Sequence, residues 1–280
     1  GPRGQELDHR STRPYPFPCP SSGRERMFPL YDDNPTEITP LVTLLIMGAC
    51  VGVWVTVQGA GFSEPSLVGS VCTLGAIPVE ITGRLGEARG AVSGSPCSLG
   101  GLTWPTLVTS MFLHGSWMHL IGNLWFLWIF GNNVEDSMGH GRFLVFYLLA
   151  GLVAAGSHIA SEPSSTLPMV GASGAISAIM GAYLVLYPRA RVYTLFIIII
   201  LIRVFPLPAW FFLLYWLSIQ VAFSMIQAPG ATGGVAFWAH IGGFGAGVIL
   251  VKLFQNQVLV GAKRAKVRLS RRDLKGGGWW

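Results

Sequence analysis

Charged side chains are scarce in this chain: 13 Asp and Glu and 19 Lys and Arg among 280 residues, 11% in all against 51% hydrophobic. With a mean hydropathy of +0.52, that scarcity argues against an ordinary water-soluble domain. Metal-type cysteine spacing is also lacking, since Cys19, Cys50, Cys72 and Cys97 show none of the short paired intervals of zinc sites. Only Cys72 and Cys97 share one loop. A disulfide there would need that loop to be extracytoplasmic, and the favoured reading leaves the two unpaired. Residues 1–26 lack the apolar core of a signal peptide and read as a polar, proline-bearing, disordered tail, with Met27 a candidate start and the stretch before it an extension. The net charge of +6 does not point to nucleic acid, because the cations gather at the tails and one internal turn, a distribution that reads as membrane orientation.

What the chain does have is glycine, 36 residues of it, and a series of long apolar segments. Spans are expected at residues 41–59, 117–132, 142–157, 171–187, 207–225 and 238–254, with a long loop at 61–103. Each approaches the roughly 20 residues that cross about 30 Å of hydrocarbon, the fourth and sixth being short. Residues 192–202 are apolar and β-branched, but 11 residues are too few to cross as a helix. That segment reads as interfacial or re-entrant. Arg142, Arg189, Arg191, Lys252 and the basic run from Lys263 to Lys275 all fall on one side of a six-span arrangement, whereas residues 158–170 and 226–237 contain no Lys or Arg. The positive-inside rule then places both termini in the cytoplasm, and the basic tail against anionic lipid.

A polar, ionisable group at membrane depth is costly, so its default reading is functional. Ser173, in Gly171-Ala172-Ser173-Gly174, opens the fourth span near the outer side, where free N–H groups and the helix dipole favour an oxyanion. His240, in Ala239-His240-Ile241-Gly242-Gly243, opens the sixth on the same side. Small residues follow each of them: Gly174, Ala178, Gly181 and Ala182 in one, Gly243 and Gly247 in the other. Such faces let helix backbones approach closely, near enough for His240 to reach the Ser173 hydroxyl as a base reaches its nucleophile. Taken singly, each residue is more often a packing element than a catalyst. Their joint placement favours the chemistry. His119 and Asn123 share one face of the second span, where they suit either an oxyanion hole or an interhelical hydrogen bond.

These motifs, in this order, resemble the rhomboid family of intramembrane serine proteases. The resemblance runs over residues 27–254 and includes Phe112-Leu113-His114-Gly115 ahead of His119-Leu120-Ile121-Gly122-Asn123, then Glu135-Asp136, Gly139, Tyr147 and Gly151, and the two motifs around Ser173 and His240. It implies an all-α polytopic bundle of the bacterial six-helix type. Ser173 would be the nucleophile, His240 the base without an acidic third member, and His119 and Asn123 the oxyanion donors. Gly171, Gly174, Gly243, Gly247 and His114 would support them. Glu135, Asp136 and Arg142 would pair at the cytoplasmic turn. Where some members place an aromatic ring that stacks on the histidine, this chain has Ser177, so the ring must be oriented otherwise.

The expected organisation is a cytoplasmic tail at 1–37, a membrane protease domain at 38–256 and a basic tail at 257–280. The expected activity is cleavage of transmembrane segments of other membrane proteins through an acyl-enzyme, in a bacterial cytoplasmic membrane. It needs no metal or organic cofactor, and its partners are membrane-protein substrates and the lipid bilayer, not nucleic acid. A non-proteolytic relative that escorts membrane clients is the alternative. A small transporter fits less well, because the polar groups cluster at one depth and no internal repeat is evident.

Overall fold

The computed structural model describes residues 26–86, 97–101, 103–198, 201–226 and 235–264. Most of residues 1–26 and the stretch after 264, both read above as tails, lie outside them. The main helices are α1 (Leu41–Thr56), α2 (Glu64–Leu74), α3 (Trp117–Phe126), α4 (Asn132–Met138), α5 (His140–Ser161), α6 (Ser173–Leu186), α7 (Ala209–Ile226), α8 (Phe237–Phe254) and α9 (Gln257–Arg264). A π-helical turn, Leu127–Gly131, joins α3 to α4 without a break. Helices α5, α7 and α8 are long and apolar enough to cross a membrane by themselves, and α1 and α6 are shorter apolar helices.

Helix α6 is the centre of the bundle. Every residue from Gly174 to Tyr183 is buried, as an apolar helix without a polar face requires. It meets α8 backbone to backbone. A Cβ at Gly243 would lie 2.2 Å from the Gly174 carbonyl oxygen, one at Gly247 1.9 Å from that of Ala178, and one at Gly181 2.2 Å from that of Phe244. On another side, a Cβ at Gly174 would lie 2.7 Å from the Ala154 Cβ of α5. Any larger side chain at these positions drives the helices apart, which is the physical content of a small-residue interface.

The apolar segment at 192–202 is neither a span nor a re-entrant helix. Residues 192–198 belong to β2 (Arg191–Ile198) and 201–202 open β3 (Leu201–Pro208), the two strands pairing antiparallel as a β-hairpin, with β1 (Arg26–Asp32) added antiparallel on the other side of β2. The β-branched and aromatic residues of 192–198 favour extended backbone. Pro206 and Pro208 lie on the outer strand, where a missing N–H costs no ladder bond. The hairpin joins the end of α6 to the start of α7 and so lies at the opposite end of α6 from Ser173.

At that same end, buried acids tie the bundle together. Pro40 gives α1 no side-chain cap; Glu135 supplies it, accepting from the Val42 and Thr43 amides at 2.9 and 2.8 Å and from the Thr43 hydroxyl at 2.7 Å. His140 Nδ1 lies 2.6 Å from the same carboxylate. Asp136 accepts from the Glu37 and Ile38 amides and from Lys263 Nζ at 2.8 Å, so α9, the first part of the region read as a basic tail, is pinned to α4. The sequence reading assigned Glu135 and Asp136 a structural duty at this turn, but named neither the α1 cap nor Lys263.

Asp32 of β1 accepts from the Tyr183 hydroxyl and, at 2.9 Å, from Asn133 Nδ2. Burial raises its carboxyl to about 6 from the ordinary 3.8, outweighing the opposing pull of the Tyr183 hydrogen bond and Lys263. The folded protein therefore binds a proton more tightly here than the unfolded chain, and stability falls as pH rises from about 4 to about 6. Asp32→Asn removes that titrating group. Its thermal midpoint relative to the parent is expected to rise across this window in detergent-solubilised protein. A relative midpoint that fell with rising pH would contradict the burial of this carboxyl.

The loop after α1 corrects one expectation. Cys72 and Cys97 form a disulfide, closing the end of α2 onto residue 97. An isolated antiparallel bridge between Ala76 and Met169 then ties this loop to the segment just before Ser173. The cysteine spacing could not reveal the pairing, because the approach of the two residues is set by the packing of the loop.

Candidate active site

Ser173 is the first residue of α6 and follows Gly171, whose φ of +121° is accessible to glycine and unfavourable for other residues. That turn lets the chain enter the helix while its amide is bonded to the Ser110 carbonyl at 2.8 Å. The first turn of a helix has amides without intrahelical partners, so Ser173 sits where donors are available. His240, four residues into α8, reaches across the glycine-lined crossing. Its Nε2 lies 2.8 Å from Ser173 Oγ. The hydroxyl of Ser177 donates to the Ser173 carbonyl at 2.7 Å and is thereby used within α6.

The other face of the histidine is held from α7. Gln220 Oε1 lies 2.8 Å from His240 Nδ1. One turn earlier, the Trp216 ring stands 5.8 Å from the imidazole, tilted by 41°, while Phe237 meets it edge-on at 6.5 Å. The ring missing at position 177 is thus replaced by rings from α7 and α8. Sequence reading missed Gln220. The signal was present, since Gln220 is the sole amide side chain in α7, and the rule applied to Ser173 and His240 applies to it as well.

Opposite Ser173, α3 brings in His119 and Asn123. The Ser116 hydroxyl caps this helix, accepting from the His119 amide at 3.1 Å. His119 Nδ1 accepts from the Gly115 amide at 3.3 Å. A neutral imidazole that accepts at one nitrogen carries its proton on the other, which makes Nε2 a donor. Asn123 is buried, and its Nδ2 has no hydrogen-bond partner among the described residues. Both donors converge beside Gly171: a Cβ there would lie 2.7 Å from His119 Nε2 and 3.6 Å from Asn123 Nδ2. Glycine at 171 leaves the space that the two donors face.

His114 is placed differently from the other site residues. Its backbone is clamped by the Gln58 side chain, amide and carbonyl at 2.9 and 2.7 Å, while its buried ring packs edge-on against His119 at 5.2 Å. Neither ring nitrogen has a hydrogen-bond partner among the described residues. Gly174, Gly243 and Gly247 form the helix contacts described above, and no group of three or more His, Cys, Asp or Glu capable of holding a metal occurs among the described residues.

Comparison with known proteins fits this arrangement. The Rhomboid domain family model matches residues 102–257, which contain all of α3 to α8. The rhomboid protease GluP of Bacillus subtilis is 44% identical over 81 residues, 29% of this chain and 15% of that protein. Rhomboid protein 1 of Saccharomyces cerevisiae mitochondria is 29% identical over 156 residues, 51% of this chain and 40% of the relative. The chloroplastic rhomboid-like protein 11 of Arabidopsis thaliana is 40% identical over 76 residues, 26% of each chain. The chain thus spans less than half the length of each of these relatives. The family model covers more than half of the chain itself, and on that match this integral membrane protein belongs to the rhomboid family.

Proposed function

We propose that the protein is a serine endopeptidase that cleaves transmembrane segments of other membrane proteins, with Ser173 as nucleophile and His240 as general base. The observation that carries this reading is the 2.8 Å separation of Ser173 Oγ and His240 Nε2 at a helix N-terminus. In the proposed reaction the serine oxygen attacks the scissile carbonyl as its proton passes to Nε2. The carbonyl oxygen becomes an oxyanion facing the Ser173 amide, His119 Nε2–H and Asn123 Nδ2–H. Collapse of the tetrahedral intermediate breaks the C–N bond, and the imidazolium returns the proton to the departing amine. Water, activated by the same histidine, then hydrolyses the acyl-enzyme and regenerates the serine.

The same reading has six spans with both termini cytoplasmic, Ser173 toward the outer side and a bacterial cytoplasmic membrane as location. The Cys72–Cys97 disulfide supports it, because the bonded loop is bridged to the Ser173 end of the bundle and disulfides persist outside the reducing cytoplasm. Arg191, Arg203 and Lys263, at the opposite end, fit the positive-inside rule. Reaction of the purified protein with a serine-directed fluorophosphonate tests the chemistry: the parent is expected to label covalently and Ser173→Ala not at all. Equal labelling of the two would remove Ser173 from the role of nucleophile.

A further inference from the structure

An imidazole acts as a base toward a hydroxyl only if the nitrogen facing that hydroxyl is bare. Neutral imidazole has one protonated and one bare nitrogen, so the partner of Nδ1 decides what Nε2 can do. In the familiar serine triad that partner is a carboxylate. Here it is the carboxamide oxygen of Gln220, 2.8 Å from Nδ1, on a residue only 8% exposed.

We infer that Gln220 is a positioning residue that holds His240 in the Nδ1–H tautomer, leaving Nε2 free to accept the Ser173 proton. The assignment deepens the reading of Ser173 and His240 as nucleophile and base, and rests on it for its catalytic meaning. Three features support it. The carbonyl oxygen of the amide is the atom that faces Nδ1, and a carbonyl accepts but cannot donate. Gln220 is buried, so water does not compete with the imidazole for its oxygen. Trp216, four residues earlier in α7, lies on the same helix face and packs beside the imidazole. One face of α7 therefore fixes both the protonation and the tilt of the ring. As the imidazolium forms, Nδ1–H continues to donate to the same oxygen, so no rearrangement accompanies proton transfer.

The opposite amide orientation would reverse the chemistry. An NH2 group donating to Nδ1 would put the proton on Nε2, pointing it at the serine oxygen and disabling the base. The tautomer is therefore a measurable property, independent of turnover.

The test uses the full chain in detergent micelles with 15N-labelled histidine, the His240 signals being identified by their loss in His240→Ala. The parent is expected to show a protonated Nδ1 and a bare Nε2, and Gln220→Leu a mixture of tautomers. In cleavage of a single-span model substrate, Gln220→Leu is expected to lower kcat about 10-fold or more at unchanged KM. That is less than the roughly 10⁴-fold loss when a triad imidazole is forced into the wrong tautomer, because leucine frees the choice and does not force it. Gln220→Glu, which keeps an acceptor oxygen, is expected to restore kcat to within a few-fold. A parent with its proton on Nε2 would overturn the assignment, as would a leucine variant with unchanged nitrogen shifts and kcat, or a glutamate variant as slow as the leucine one. Should the fluorophosphonate fail to label Ser173 while Nδ1 is protonated in the parent and the tautomers are mixed in Gln220→Leu, the catalytic reading falls and the tautomer assignment stands.

Discussion

Ser173→Ala and His240→Ala are each expected to abolish cleavage of a single-span membrane protein while leaving the fold intact. The two side chains share one hydrogen bond, Ser173 Oγ to His240 Nε2 at 2.8 Å, and neither supplies the reaction alone. In serine proteases, loss of either member costs about as much as loss of the whole unit, on the order of 10⁶-fold in turnover. The double variant should thus be hardly slower than either single one. Stability should change little by comparison, since a typical hydrogen bond contributes about 1 kcal/mol net. The glycine-lined contact of α6 with α8, which positions the pair, is untouched by either change. Cleavage assays with thermal midpoints for all three variants check this. Turnover by Ser173→Ala above the level of the double variant would sink the nucleophile assignment.

Asn123→Ala is expected to lower kcat roughly 100- to 1000-fold with little change in KM, the usual loss for one oxyanion donor. Asn123 Nδ2 is buried without a hydrogen-bond partner among the described residues. A buried, unsatisfied donor costs about 1–3 kcal/mol in the resting protein, a cost that makes sense where the partner arrives only with the transition state. The sign of the stability change therefore separates the two roles of Asn123. As an oxyanion donor it should be replaceable at no loss of thermal stability, or with a small gain. As an interhelical tie it should cost stability and leave kcat near normal. Loss of stability together with near-normal kcat would remove Asn123 from the oxyanion hole.

Much of this architecture could be read from residue order because membrane-depth helices obey a simple rule. In lipid every backbone polar group must be satisfied within its own segment, so a long apolar run is a helix whatever surrounds it. The expected segments at 142–157, 207–225 and 238–254 appear as α5, α7 and α8, each displaced by only a few residues. Polar groups in such runs are few and expensive, which is why Ser173, His240, His119 and Asn123 could be singled out. Their glycine neighbours could be paired because small residues mark close crossings.

The segment at 192–202 was not readable in the same way. It is as apolar as a short helix, and its extended form rests on pairing, with β3 on one side of β2 and, on the other, with β1, more than 150 residues earlier in sequence. Lys263 likewise looked like one cation of a basic tail, yet Asp136 and Asn133 take its ammonium group at 2.8 and 2.7 Å. The sequence alone determined the helical segments, their small-residue faces and the types of group available for chemistry, because composition and spacing act locally. Tertiary structure decided what meets what: Cys72 with Cys97, Glu135 with the start of α1, and above all Gln220 with His240. Those pairings come from distant segments, and close packing of whole helices, not any residue pattern along the chain, sets the distance between them.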